Sequence, residues 1–291
     1  NSVHLFPFVQ ELKLLYFLNS KPLKIRFLYF LAIFFYGPVF SQKIVHDWEN
    51  YVVSLKGKPV SINVDLGLAS IAPVKEDSFV IILRVKMNQL DAMGMPTAAE
   101  AEELLKMEEA LVTLLARQSG ATLAGRFTQR GIREFYFYAP DTLGFRRGVN
   151  QSMQPFSGHE WLSQAKKDPQ WENYFTVLYP GKLDKFRIES RRNLAELSRA
   201  GLIRQGPMLV DYFFDFQDLE SMKKFLSSPA LTGFEIMTLP NKPDGVHQTY
   251  GLILRKKVEP DYPWIESHLV PLYNDAVKNN GVFVGWQRVL K

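Results

Sequence analysis

The sequence predicts an α+β protein built from two tandem β-α-β-β-α-β units, each an antiparallel sheet with helices on one face. Three observations lead there. The chain has 291 residues, room for two domains of roughly 100–150 residues each. Hydrophobic residues make up 46% and charged residues 22%, which allows sizeable cores and excludes a disordered or fibrous chain. Segments of strand period and helix period follow one another in the same order twice. The expected organisation is an upstream segment with a signal peptide at 1–41, a first α+β domain with an N-terminal hairpin at 42–181, and a second domain at 182–291.

Lys21, Lys24 and Arg26 precede an apolar run at 27–36, and Gly37-Pro38-Val39-Phe40-Ser41-Gln42 follows. That is the order of n-region, h-region and cleavage site of an export signal, with Val39 and Ser41 as the small residues before the cut. Even extended to Phe40, the run is shorter than the roughly 20 residues a spanning helix needs. The mature chain is therefore expected to be periplasmic or secreted, with no stable membrane span.

In the first domain, 48–55 and 60–68 flank Lys56-Gly57-Lys58-Pro59 and read as a hairpin with one buried face. A strand at 79–87 opens with the apolar run Phe-Val-Ile-Ile-Leu, as a strand buried on both faces does. Thr97-Ala98-Ala99-Glu100 is a capping box, and Leu104, Met107, Leu111, Leu114 and Leu115 continue it as a helix to Gly120. Strands at 121–129 and 132–139 are split by Arg130-Gly131. Ser157-Gly158-His159-Glu160 repeats the capping pattern, which predicts a short helix closed by Pro169 and then a last strand at 174–179.

A charged helix at 182–200 leads into the second domain. Its strand at 208–216, helix at 218–227, strand pair at 234–239 and 249–257 across a turn at 241–245, helix from Asp261 kinked at Pro271, and strand at 282–290 repeat the order. With right-handed crossovers, this order makes the ferredoxin-like arrangement in both halves.

The chemistry is sparse. There is no cysteine, which excludes disulfides and thiolate chemistry. The net charge is +5, but residues 1–41 carry four basic side chains against Glu11, leaving +2 for the rest, so nucleic acid is not an expected partner. His46, His159, His247 and His268 have no helical-spacing partners, and no phosphate loop, nucleophile elbow or His-Glu-x-x-His appears. No catalytic residue, cofactor or metal set is assigned, and a non-enzymatic role is expected. Arg146-Arg147 and Arg191-Arg192 read as solvated pairs, Arg255-Lys256-Lys257 as a strand end in water, and Tyr136 and Tyr138 as a face packed on the N-terminal hairpin. Asp211, Phe213 and Asp215 share one strand face, too widely spaced for one metal; with Gly285 and Trp286 they are the candidate partner contacts.

Two stretches resemble known families. Met93-Gly94-Met95-Pro96 with Glu100, Glu108-Glu109, Gly125-Arg126-Phe127-Thr128 and Gly131-Ile132-Arg133-Glu134-Phe135-Tyr136-Phe137-Tyr138 resemble the domain of unknown function 695 family over about 44–180. Leu194, Leu197 and Gly201, the run Val210-Asp211-Tyr212-Phe213-Phe214, Gly233-Phe234, Gly281 and Gly285-Trp286 resemble the regulator of RNase E activity B family over about 190–290. The second resemblance implies action by binding an endoribonuclease, without chemistry. Export would separate the chain from a cytoplasmic ribonuclease. The expected function is thus a binding or regulatory protein of the bacterial cell envelope acting on an unidentified protein partner. The alternatives are a cytoplasmic ribonuclease inhibitor, if 1–41 is not an export signal, and an enzyme with an unrecognised inter-domain site.

Overall fold

The computed structural model describes residues 45–203, 206–238, 249–259 and 262–289. The export signal, the 241–245 turn and the Asp261 helix start lie outside the described residues. The described chain is α+β, with two antiparallel sheets and helices packed on them.

The first sheet runs in the order β1-β2-β4-β5-β3-β6, from strands β1 (Trp48–Leu55), β2 (Lys58–Asp65), β3 (Phe79–Lys86), β4 (Thr122–Gln129), β5 (Ile132–Ala139) and β6 (Trp161–Lys167). Lys56-Gly57 and Arg130-Gly131 all take positive φ, the two-residue turn geometry whose twist matches paired strands. Helix α1 (Ala98–Ser119) starts where Thr97 Oγ1 accepts the Glu100 amide at 3.3 Å and ends on Gly120 at φ +62°. Leu104, Met107, Leu111 and Leu115 of α1 meet Ile81, Leu83, Val85, Phe135 and Phe137 in a core whose members are nearly inaccessible to water.

The structure corrects the sequence reading in three places. Residues 161–167 are a strand, not a helix: Trp161, Ser163 and Ala165 are half-buried and alternate with exposed Leu162, Gln164 and Lys166, an edge-strand period, and Glu160 pairs with Lys86 instead of capping. The second helix is α2 (Phe145–Met153), which buries Phe145, Val149 and Met153 at a four-residue spacing; its N-cap Gly144 sits at φ +75° with no capping side chain, so the usual start signal is absent. Tyr174–Leu178 is a π turn, not a strand.

That turn belongs to a segment, 168–178, that covers the sheet face opposite α1 and α2. Trp171 stacks on Tyr138 at 3.8 Å between ring centroids, and Tyr174 and Leu178 are wholly buried. Burying each such side chain contributes about 1.5–3 kcal/mol. Tyr136 and Tyr138 therefore pack under this segment, and the hairpin takes part through the Tyr51 hydroxyl, which donates to the Leu178 carbonyl at 2.8 Å. Trp171 lies at φ +56°, a conformation that costs about 1–2 kcal/mol outside glycine. The stack and the Trp171 Nε1 bond to the Asp77 carbonyl, at 2.9 Å, hold it there.

Asp168 anchors the segment. Its carboxylate accepts from the Tyr138 hydroxyl (2.6 Å), the Glu172 amide (2.7 Å), the Asn173 amide (3.0 Å) and Asn173 Nδ2 (2.7 Å).

The second sheet has the order β10-β7-β9-β8, from β7 (Met208–Phe216), β8 (Glu235–Thr238), β9 (Tyr250–Val258) and β10 (Gly281–Arg288). Helices α3 (Lys182–Arg199), α4 (Leu219–Leu226) and α5 (Val270–Lys278) contribute Phe186, Leu194, Phe225, Leu272 and Ala276 to a separate core with Tyr212, Phe214, Phe216, Leu252 and Leu254. A π turn at Ile265–Leu269 enters α5 just before Pro271, where the sequence predicts a kink.

Residues 45–291 cluster as one compact unit, and α3 joins the two sheets. Arg192 is not solvated as the sequence suggests: it forks onto both Asp47 carboxylate oxygens (2.7 and 3.1 Å) and reaches Glu49 at 2.5 Å, while Arg191 donates to the Asn50 carbonyl. The planar guanidinium makes that fork possible, and the paired carboxylates raise the Arg192 pKa.

Burial by itself would raise the Asp168 pKa, but the hydrogen bonds from Tyr138 and Asn173 carry it below the ordinary carboxylate value. A pKa depressed in the folded state adds stability above the unfolded value of about 4, and that stability disappears as pH falls through the folded value. Asp168→Asn is therefore expected to lower the unfolding free energy at pH 7 by about 3 kcal/mol, since each buried donor left without its acceptor costs about 1–3 kcal/mol. Urea titrations from pH 7 to 3 should show wild type converging on the variant in acid; a constant gap would contradict this.

Candidate functional site

The second sheet is covered by helices on one face only. Along β7, Met208, Val210, Tyr212, Phe214 and Phe216 point into the core, while Leu209 and Phe213 are half-exposed and Asp215 is exposed. Register places Phe213 opposite Ile253 and Gly285, and Asp215 opposite Val282, which is 61% exposed. Met237 pairs with Ile253 from the next strand. The open face thus carries an apolar centre of Phe213, Ile253, Met237 and Val282.

The expected contact residues divide. Phe213 and Asp215 lie on the open face. Asp211 shares it but is already engaged, accepting a two-pronged ion pair from Arg255 at 2.6 and 2.8 Å. Arg255 is therefore mid-strand, not a basic end in water, and Lys256 lies over the Phe234 ring. Gly285 sits at a β-bulge with φ +155°, and nothing lies within 4 Å of where a Cβ would stand, so conformation and not close approach calls for glycine. Trp286 faces the core: it is 7% exposed, meets Trp264 edge-on at 4.8 Å, and donates to Ser190 Oγ at 3.3 Å. A small cavity of about 130 Å³ lies beside it, lined in part by Phe186, Ser190, Asn193 and Gly285.

The first domain brings together a second group. Glu100, Glu103 and His159 converge at the start of α1 with His159 and Glu100 buried. Glu100 accepts the Asn88 and Gln89 amides, each at 3.1 Å, so its carboxylate holds the β3–α1 loop and does not close a capping box on Thr97. His159 Nε2 lies 3.0 Å from Glu100 Oε1 and 3.8 Å from Glu103 Oε2. His159 Nδ1 is buried without a partner. Arg133 lies within electrostatic reach of Glu100; burial, with Arg126 nearby, lowers its pKa to about 10. Sequence reasoning missed this group because Glu100 and Glu160 already had capping roles and His159 had no neighbour in sequence. The i, i+3 pair Glu100 and Glu103 was the one local signal.

Two open depressions of about 440 and 530 Å³ share Gly144 and Arg147 at the start of α2, with Arg146 beside one and Arg117 beside the other. All three arginines are exposed, as the sequence suggests for Arg146 and Arg147. At the junction of the sheets, Asp47 and Glu49 are both held by Arg192, an ion-pair clamp in place of an acid/base pair.

Residues 46–179 match the sequence model of the Family of unknown function (DUF695), a little under half of the chain. The match stops before α3 and does not reach the second sheet. No curated protein matches the chain. A crystal structure of an unknown protein from Galdieria sulphuraria is similar at 9% identity, over 73% of this chain and 99% of that one, with a TM-score of 0.21, a likeness too distant to define fold or function.

The placement of Trp286 gives a test. Trp286→Ala is expected to cost about 3–5 kcal/mol of stability as a core truncation, while Asp215→Ala should stay within about 0.5 kcal/mol of wild type. Chemical denaturation of both variants checks this; a stable Trp286→Ala protein would return that residue to the surface.

Proposed function

We propose that this chain is a non-enzymatic binding protein of the bacterial cell envelope, exported by the 27–36 signal and docking a protein partner on the open face of its second sheet. The observation that carries the reading is the unequal treatment of the two sheets: the first is covered on both faces over β3 and β5 and leaves apolar side chains exposed at its edge strands, while the second leaves Phe213, Ile253, Met237 and Val282 facing outward from its middle strands and their neighbours. A sheet face with an apolar centre, rimmed here by Asp215, Lys257 and Gln287, has the layout of a protein-binding patch. Aromatic anchors such as Phe213 supply much of the binding energy in such patches.

We read both sheets as ferredoxin-like, and the strand orders support that reading. In each, the first and third strands of the unit pair in the centre, the fourth flanks the first and the second flanks the third. That reading, with the sequence resemblance of about 190–290 to the regulator of RNase E activity B family, supports regulation by contact. Retention in the cytoplasm would instead favour a ribonuclease as the target.

One experiment covers both parts. The full gene, tagged at the C terminus, is expressed in its own cells, the N terminus of the purified protein is determined by mass, and captured proteins are compared between wild type, Phe213→Glu and Glu102→Lys. The expected outcome is a start at Gln42 and a specific partner kept by Glu102→Lys, whose site is a solvated turn of α1, but lost by a folded Phe213→Glu. A start upstream of residue 42 would remove the export assignment, and a partner indifferent to Phe213→Glu would remove the open face.

A further inference from the structure

We infer that Glu100, Glu103 and His159 form a binding site for a first-row divalent cation, zinc foremost, at the junction of the β3–α1 loop, α1 and β6. One ligand atom from each of the three lies within 4.8 Å of the others. Zinc holds nitrogen and carboxylate oxygen at about 2.0–2.2 Å, which sets neighbouring ligands about 3.0–3.5 Å apart. His159 Nε2 is already 3.0 Å from Glu100 Oε1 and 3.8 Å from Glu103 Oε2. The remaining closure falls to Glu103, whose side chain is 42% exposed and able to swing inward.

The surroundings pre-organise the two buried ligands. The Asn88 and Gln89 amides fix the Glu100 carboxylate, as hydrogen bonds from the surrounding shell orient metal ligands. The His159 side chain is 2% exposed and aims Nε2 into the gap between the carboxylates, while Nδ1 has no partner. The Glu100 carboxylate accepts from Nε2 in the empty site, so a cation entering the gap replaces that proton. A neutral ring can carry its proton on Nδ1 and release the Nε2 lone pair with no net loss of a proton. Moving the proton to Nδ1 leaves a buried N–H without a protein partner, a cost that the bonds to the ion must exceed.

One imidazole with two carboxylates suits zinc, iron(II) or manganese(II), and suits magnesium or calcium less, because those ions prefer all-oxygen shells. Arg133 lies within electrostatic reach of Glu100, and Lys106 within reach of Glu103. Three protein ligands leave a coordination position open on the Glu103 side, and the ion would tie the loop at Asn88 to the strand that follows His159.

The test is calorimetric titration of the untagged full chain with zinc chloride. The expected result is saturable one-to-one binding, weakened roughly tenfold or more by Glu103→Gln and abolished by His159→Ala, with a rise in thermal midpoint on adding zinc that Glu103→Gln reduces. Glu103 is at the surface, so its variant keeps the test valid even where His159→Ala does not fold. His46→Ala serves as control for adventitious binding at the half-exposed histidine beside Asp65. Absence of saturable binding, binding indifferent to Glu103→Gln, or binding abolished by His46→Ala would each overturn the site.

Discussion

The acceptor set of one buried carboxylate, Asp168, governs how the first domain is closed. A sheet whose central strand reads Phe-Val-Ile-Ile-Leu must be covered twice, because Val80 and Ile82 point to one face and Ile81 and Leu83 to the other. Helices α1 and α2 cover one. The other is covered by 168–178, a loop that runs into a single π turn, and its first amides need acceptors. Asp168 takes the Glu172 and Asn173 amides and the Tyr138 hydroxyl, and that hydroxyl in turn accepts the Tyr174 amide at 3.0 Å. Polar satisfaction and aromatic stacking thus meet at Tyr138, which explains how so short a loop and π turn can lie on a buried sheet face.

The second sheet has no such cover. Its helices and β-strands share one core, and the far face ends in half-exposed aromatics and aliphatics fastened by the Asp211–Arg255 pair. That pair spans β7 and β9 and holds the register that sets Phe213 against Ile253. Its worth in stability is small, because the arginine is open to solvent screening. Its effect is to keep charge at one end of the patch and leave the apolar centre free. On the covered side, the Arg192 clamp ties α3 to Asp47 and Glu49 at the start of the first sheet.

The strand-rich regions were legible because local chemistry decides them. Lys56-Gly57 and Arg130-Gly131 take the positive φ that hairpin turns need, and every second residue of β7 from Met208 to Phe216 is apolar and buried. The errors share a cause. Ser157-x-x-Glu160 has the letters of a capping box, but Lys86 takes the Glu160 side chain from across the sheet; α2 has a glycine cap that offers no side chain to recognise; and Tyr174–Leu178 alternates like a strand, but the Asp168 carboxylate takes the Glu172 and Asn173 amides just before it and the Tyr138 hydroxyl takes the Tyr174 amide. The first was decided by a partner dozens of residues away, the second by a cap that carries no side chain, and the third by the Tyr138 hydroxyl across the sheet. The candidate sites followed suit: Phe213 and Asp215 could be placed by strand period alone, Trp286 was drawn inward by Trp264 and Ser190, and the meeting of His159 with Glu100 depended on the whole sheet.

The contrast between a doubly covered sheet and a singly covered one is most directly tested by hydroxyl-radical footprinting of the free protein with residue-level mass analysis. Met237 and Phe213 on the second sheet should oxidise readily, while Tyr136, Tyr138 and Trp171, all under 5% exposed, should remain protected until the protein unfolds. Rapid oxidation of Tyr138 and Trp171 in the native state, or protection of Met237 and Phe213 in the isolated chain, would contradict it.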